Sequence, residues 1–300
     1  MQKVAISIGD LNGIGLEIAL KSHKKIKEWI KPIYCINEKM LTKGAKLLNY
    51  PIPKDFKIAE VKGDFEINPG IIDAKSGEYS YKSFIKAIEL AKEKKVDAIS
   101  TLPINKEAWG KAGLKYKGHT EVLRDIFKKN AIMMLGCEDL YVALFTEHIP
   151  LKEVAKKVKK ENLIQFFLDF YKSTNFKEIE VLALNPHAGD GGVLGDEEIK
   201  EIIPAIIEAN EILEKNIFYG PLVPDIAFTS RKGKFIAMYH DQGLAPLKAL
   251  YFDKSINVSL NLPILRTSVD HGTAFDIAYK GKAKTLSYEN AIKYILKHKN

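Results

Sequence analysis

Val4-Ala5-Ile6-Ser7-Ile8-Gly9-Asp10-Leu11-Asn12-Gly13-Ile14-Gly15-Leu16 runs from an apolar stretch through a glycine-rich turn into the start of a helical pattern. A short buried-type strand that passes through Gly and Asp into a helix is the opening of a β-α unit. The same grammar recurs along the chain. Further strand patterns read at Ile33 to Ile36, Ala98 to Thr101, Tyr141 to Phe145, Ile179 to Leu184, Ile226 to Thr229, Phe235 to Met238 and Val258 to Leu260. Helical periodicity is clearest in Tyr81 to Lys94, Leu151 to Tyr171, Glu197 to Lys215 and Tyr288 to Lys297. Alternation of this kind argues for an α/β fold with mostly parallel sheets.

The opening turn itself, Gly9-x-x-x-Gly13-x-Gly15, has the look of a phosphate-binding loop. It misses the GxGxxG spacing and lacks the Gly-Lys-Ser/Thr ending of a P-loop, so a tight strand-to-helix turn stands level with it as a reading. As a dinucleotide signal it carries little weight.

Composition bounds the rest. A chain of 300 residues, 46% hydrophobic and 28% charged, has an ordinary globular balance and a length that suits about two domains. Cys35 and Cys137 are its two cysteines and show no CxxC spacing, which points to reduced thiols and a cytoplasmic protein. The N-terminal run is too short for a signal peptide, and no stretch approaches a membrane span. The net charge of +8 raises the question of nucleic acid. Its lysines spread over helix-like runs, Lys21 to Lys27, Lys152 to Lys160 and Lys293 to Lys299, and no RNP string, zinc-finger spacing or Arg-rich arm is present. A solvated basic surface that attracts phosphorylated small molecules explains the charge better than a nucleic-acid partner.

Three of the seven histidines occupy unusual strings: Thr146-Glu147-His148, Asn185-Pro186-His187-Ala188-Gly189-Asp190-Gly191-Gly192 and Tyr239-His240-Asp241-Gln242-Gly243. One histidine at a strand end is ordinarily a hydrogen-bonded structural residue. Three, two of them flanked by Gly or Pro, point to a divalent-metal site built beyond the carboxyl ends of parallel strands, where α/β sheets bind ligands. Zinc suits three imidazoles best on softness, with magnesium, manganese and cobalt open. Gly118-His119-Thr120-Glu121 offers an imidazole, a hydroxyl and helix N-terminal amides, with Thr120 read as an N-cap. Downstream, Lys248, Asn257 and Arg266 supply two cations and an amide for a phosphate or carboxylate clamp. Taken singly, each of these has the surface as its default location. His23 and His298 read as ordinary surface residues.

At these strings the chain resembles a known family. Gly118-His119-Thr120-Glu121, Asn185-Pro186-His187-Ala188-Gly189, Tyr239-His240-Asp241-Gln242-Gly243 and Arg266-Thr267-Ser268-Val269-Asp270-His271-Gly272-Thr273-Ala274-Phe275-Asp276 resemble, in order, the motif series of the 4-hydroxythreonine-4-phosphate dehydrogenase family of vitamin B6 biosynthesis. The likeness runs from Gly9-Asp10 to about Ala283, and four multi-residue strings in register are far more specific than any one.

The resemblance implies the following. His148, His187 and His240 match metal ligands, and His119, Thr120, Lys248, Asn257 and Arg266 match substrate contacts. The segment His271, Gly272, Thr273, Ala274 and Asp276 is similar to the adenine-side loop of isopropylmalate and isocitrate dehydrogenases, whose fold the family shares, and so implies NAD or NADP binding; a plain structural turn is the alternative. The implied architecture is two α/β/α domains with mostly parallel sheets and an active-site cleft between them. Residues 1–125 plus 255–300 form one domain, and 126–254 form a metal-ligand and dimerisation domain. The family is a homodimer with its site near the subunit interface and ligands from both chains, so one chain alone lacks a complete site. Leu11 stands where Pro is usual, and Asn261 and Tyr279 stand where Gly is usual; none removes a proposed ligand.

The implied chemistry is oxidation of 4-phosphohydroxy-L-threonine. A divalent ion (Zn, Mg or Co) holds the substrate amino and hydroxyl groups and lowers the hydroxyl pKa, a hydride passes to the nicotinamide, and the β-keto acid loses carbon dioxide to give 3-amino-2-oxopropyl phosphate. Lys248 and Asp241 are the candidates for the group that takes the hydroxyl proton. A related dehydrogenase of phospho-threonate or phospho-erythronate competes with this reading. A non-catalytic phosphate- or nucleic-acid-binding protein is the alternative outside enzymes, and it leaves the histidine strings unexplained.

Overall fold

The strands, in chain order, are β1 (Lys3–Ser7), β2 (Lys31–Cys35), β3 (Ile58–Ala59), β4 (Ala98–Thr101), β5 (Ile132–Gly136), β6 (Leu140–Leu144), β7 (Ile179–Leu182), β8 (Phe218–Leu222), β9 (Gly233–Ala237), β10 (Ile256–Leu260) and β11 (Leu265–Val269). The computed structural model describes residues 1–298, and the end of the lysine run at Lys299 lies outside them. The chain divides into two compact units, Met1–Lys129 with Ile256–Val258 and Leu262–Asn300, and Asn130–Ser255 with Ser259–Asn261.

The first unit carries the strand order β3-β2-β1-β4-β11, with every neighbouring pair parallel. β1 is buried from Val4 to Ser7 and has a parallel partner on each edge. A strand covered on both faces has no polar-apolar alternation, which is why its sequence reads as a continuous run. The helix Gly15–Ile26 follows directly, and residues 4–20 are all buried.

The second unit carries the order β5-β6-β9-β7-β8. β5 and β6 form an antiparallel pair; β6 with β9, β9 with β7 and β7 with β8 are parallel. Leu135, Val142, Leu144, Phe235 and Ala237 from the strands pack with Leu244 and Leu247 of the helix His240–Tyr251 in its core.

Several local expectations are corrected. Ile226 to Thr229 is not a strand but the end of a short helix, Pro224–Ala227, and a 3-10 turn, Phe228–Ser230. Pro224 is preset for a first helical turn, and four apolar residues cannot separate helix from strand by period. β3, β5, β8 and β11 escaped the strand reading; in β11 all five residues are buried, yet Arg266, Thr267 and Ser268 hide that fact in the sequence. The Leu151 to Tyr171 pattern is broken, because Val158 and Lys159 leave helical geometry between Val154–Lys157 and Lys160–Thr174. Glu197 to Lys215 starts with a π turn, Glu198–Ile202, before Ile203–Leu213, where Pro204 has no N–H to continue a regular ladder. His23 is buried rather than on the surface: Nδ1 lies 3.0 Å from the Tyr34 hydroxyl and Nε2 3.2 Å from Asp55 Oδ1. His298 is half-buried and stacks on Tyr294.

Asn261 takes φ +59°, the left-handed region that Asn tolerates better than most residues. Its side-chain amide donates to the Asn130 carbonyl and to Asp169, both at 3.0 Å, bonds that a glycine at this position lacks. Cys35 and Cys137 are free and buried, and burial pushes the Cys35 thiol up to about 12.

Candidate active site

β6, β9 and β7 are parallel neighbours, so their carboxyl ends lie along one edge of the second unit's sheet. His148 follows β6, His240 follows β9 and His187 follows β7. Two side chains tie these strand ends together. Thr146 donates through N and Oγ1 to the Met238 carbonyl, at 3.2 and 2.6 Å. Gln242 accepts from Met238 N at 2.7 Å and donates to the Ala183 carbonyl at 2.6 Å. The imidazoles of His148 and His240 come to 5.5 Å between ring centroids as a result. His240 opens the helix His240–Tyr251, with Nδ1 2.7 Å from Asp241 Oδ1.

His187 stands apart from that pair. Among the described residues no three His, Cys, Asp or Glu side chains converge as a metal-holding group. His187 is exposed on a segment in which His187, Ala188, Gly189, Asp190 and Gly191 all have positive φ, between 45° and 79°. Left-handed backbone costs about 1–2 kcal/mol for each non-glycine residue, so this turn is strained at three positions. Asp241 is exposed, and Lys248 is half-buried near the end of the same helix. Seven residues separate them, which puts both on one helix face about 10 Å apart along the axis.

The anion-binding candidates that lie in the first unit are His119, Thr120, Asn257 and Arg266. Arg266, on β11, is 3% exposed and donates from Nε and Nη2 to Thr101 Oγ1 on β4, at 3.1 and 2.6 Å. Burial lowers its pKa to about 9 from 12.5, so at neutral pH it is a charged guanidinium in a poorly solvated place. His119 is 8% exposed and sits edge-on to Phe84, at 4.5 Å, and Trp109, at 5.7 Å. Its Nε2 is buried without a hydrogen-bond partner, as is Oδ1 of Asn257. Burial first, then the positive charges of Arg266 and Lys106, hold His119 well below its ordinary 6.5 and therefore neutral. The orphaned His119 Nε2 beside two cations suits an anionic ligand. Lys106 was missed in the sequence; only its place beside Gly118-His119, with Cε 3.9 Å from where a Cβ on Gly118 would stand, reveals it.

Thr120 is not the N-cap. Gly118 takes that position, His119 is the first helical residue, and Glu121 reaches back to accept from Lys117 N at 2.7 Å. A third-position Glu that reaches back is one half of a capping box, here bonded to the amide just before the cap; no side chain caps the first-turn amides. Thr120 keeps its place next to His119 in the first turn.

The lowered His119 pKa predicts an acid-side stability slope. Below about pH 6.5 the unfolded imidazole takes up a proton that the folded one refuses, so stability falls with pH by up to about 1.4 kcal/mol per unit. Urea unfolding between about pH 5 and pH 7 should show a shallower slope for His119→Asn, with the remainder owed in part to His23, whose pKa burial also lowers. An unchanged slope would mean that His119 is not held neutral.

The His271 to Asp276 segment is open on top and anchored below. A Cβ on Gly272 would meet nothing within 4 Å, and Ala274 is left-handed at φ +44°. The Thr273 carbonyl accepts from Ile14 N at 3.1 Å, and its side chain lies where a Cβ on Gly13 would go. The Tyr279 hydroxyl donates to the Leu11 carbonyl at 2.7 Å. Asn12 bridges the same turn to Asn68 N and the Ile71 carbonyl, at 2.9 and 2.8 Å. The Gly9–Gly15 turn is thus a buried floor under the proposed cofactor loop rather than an exposed phosphate cradle.

The tilted His148 and His240 pair at the end of parallel strands offers two nitrogen donors of the kind a divalent ion takes, and His187 does not join them within the described residues of one chain. An open glycine loop on a rigid floor fits a flat dinucleotide end.

Comparison with known proteins identifies the family. The model of the family described as pyridoxal phosphate biosynthetic protein PdxA matches residues 28–295. A protein of Sulfurimonas denitrificans named 4-hydroxythreonine-4-phosphate dehydrogenase is 63% identical over 295 residues, 97% of this chain and 96% of that one. A protein of the same name from Campylobacter fetus is 57% identical over 99% of this chain and 98% of that one. The crystal structure of the Klebsiella pneumoniae protein of that name superposes with a TM-score of 0.85 at 31% identity, with all of both chains covered. Matched across most of its length by the family model and nearly end to end by such relatives, this chain belongs to the PdxA family of pyridoxal phosphate biosynthetic proteins.

Proposed function

We propose that the chain oxidises 4-phosphohydroxy-L-threonine with NAD or NADP to 2-amino-3-oxo-4-phosphooxybutanoate, which loses carbon dioxide to give 3-amino-2-oxopropyl phosphate. The observation that carries this reading is the buried Arg266 beside the neutral His119, whose Nε2 has no hydrogen-bond partner, a site that suits an anion. Arg266, Lys106 and Asn257 bind the phosphorylated end, while His119 and Thr120 orient it. The His271, Gly272, Thr273, Ala274 and Asp276 loop takes the dinucleotide. Lewis-acid polarisation of the substrate hydroxyl is what a divalent ion, Zn, Mg or Co, supplies at His148, His187 and His240. Lys248 or Asp241 accepts the hydroxyl proton.

The reading includes a second copy of the chain. His148 and His240 meet within one chain and His187 does not, so the third imidazole comes to the pair from a partner. Val193, Leu194, Ile199, Ile203 and Ile207 are exposed beside the His187 loop, and the last three recur every four residues on one helix face. Apolar stripes of this kind mark subunit contacts.

Steady-state turnover on 4-phosphohydroxy-L-threonine, phospho-threonate and phospho-erythronate, each with NAD and with NADP, tests the assignment. The highest kcat/KM is expected on the threonine derivative. Turnover confined to either phospho-acid moves the chain to the related dehydrogenase.

A further inference from the structure

The strained turn that carries His187 is held from beneath by one carboxylate. Glu198 is 1% exposed. Its Oε1 accepts from Leu184 N and Asn185 N, both at 2.8 Å, and its Oε2 accepts from Asn185 Nδ2 at 2.9 Å. Leu184 and Asn185 are the last residues before Pro186-His187. On the far side of the turn, a Cβ on Gly189 would fall 2.8 Å from Glu198 Oε2, so glycine there lets the carboxylate lie against the loop. Leu194 N closes the turn on the Gly189 carbonyl at 3.0 Å, and Asn185 Nδ2 also reaches Glu197 Oε2 at 2.7 Å.

Nothing in the packing of the unit calls for a charge at this point. Among the described residues Glu198 has no ion pair, and its compensation comes entirely from N–H groups at the entrance to the His187 turn. A buried carboxylate satisfied this way is costly unless it fixes something. What it fixes is the backbone two residues ahead of an exposed imidazole, in a conformation that a free loop would abandon.

We propose that Glu198 is the positioning residue for His187, presetting the left-handed turn so that the imidazole is presented to a divalent ion in one orientation. The proposal rests on the reading of His187 as a metal ligand. Carboxylates that orient a ligand without touching the metal typically change its affinity roughly 10- to 100-fold when removed.

The test uses the full chain stripped of metal by chelator, titrated with Co²⁺ and followed by its ligand-field absorbance, for wild type, Glu198→Gln, Glu198→Ala and His187→Ala. Thermal unfolding of each metal-free protein establishes that the titrations are made on folded chain. Glu198→Gln and Glu198→Ala should bind Co²⁺ about 10- to 100-fold more weakly, with turnover lost at limiting metal and largely regained at saturating metal. A purely structural role predicts a lowered Tm with unchanged Co²⁺ affinity, and that result overturns the proposal. If His187→Ala itself binds Co²⁺ as tightly as wild type, the ligand reading falls and the proposal falls with it, by a distinct signature.

Discussion

An equimolar mixture of His187→Ala and His240→Ala chains, exchanged until subunits are random, should recover about one quarter of wild-type turnover, although each variant alone is inactive. On the proposed metal site, loss in the single variants follows from the charge that the ion would contribute to the transition state. Several kcal/mol, taken as about 4, correspond to a fall of about 1,000-fold. Recovery follows from geometry. His148 and His240 lie 5.5 Å apart in one chain while His187 does not join them. A mixed dimer then contains one site with an intact pair from the His187→Ala chain and an intact His187 from the His240→Ala chain, and one site that lacks both. Random exchange makes half of the dimers mixed, and half of their sites work. If all three imidazoles serve within one chain, mixing restores nothing.

Arg266→Ala should raise KM for the phosphorylated substrate by about 10- to 150-fold, the loss of a charge-assisted contact of roughly 1.5–3 kcal/mol. Arg266→Lys should rescue little, because one ammonium cannot reproduce the planar donors that meet Thr101 Oγ1 through both Nε and Nη2. Stability gives an independent reading. The folded pKa near 9 lies below the ordinary 12.5, so between these values the unfolded chain holds a proton that the folded chain has lost. Stability contributed here rises with pH through that window, and at neutral pH the burial penalty is present in full. An anion offsets that penalty. Inorganic phosphate should therefore raise the Tm of the wild type and have little effect on Arg266→Ala; an equal rise in both would remove Arg266 from the anion site.

The strand-helix alternation and the histidine strings were legible because their signals are local. Continuous apolar runs mark strands with neighbours on both sides, and Gly or Pro beside His187 and His240 marks turning backbone. Arg266 could be read through its string but not through its strand, since a cation within five buried residues contradicts the pattern of a core strand. Glu198 was invisible for the opposite reason. A glutamate at the start of a helix, among Asp196, Glu197 and Glu201, looks like any solvated face, and only the fold turns it inward. Gln242 and Thr146 escaped likewise: their value lies in carbonyls just past the ends of other strands, 59 and 92 residues away in sequence. Lys106 has no string of its own, and its relevance is a matter of what lies next to Gly118.

Tyr279 shows how a departure from a family's usual residue becomes hard to reverse. It occupies a left-handed position, φ +61°, where glycine is free of cost, and repays the strain with a hydroxyl bonded to the Leu11 carbonyl. That carbonyl belongs to the main chain, so the bond is indifferent to which side chain residue 11 carries. The hydroxyl also stands 3.3 Å from where a Cβ on Gly44 would point, and Leu16 presses on the same spot. Acquiring the tyrosine thus narrows what residue 44 can become, while returning to glycine would empty the space that its neighbours have closed around. Residues 16, 44 and 279 therefore constrain one another: a change at any one of them is felt at the others.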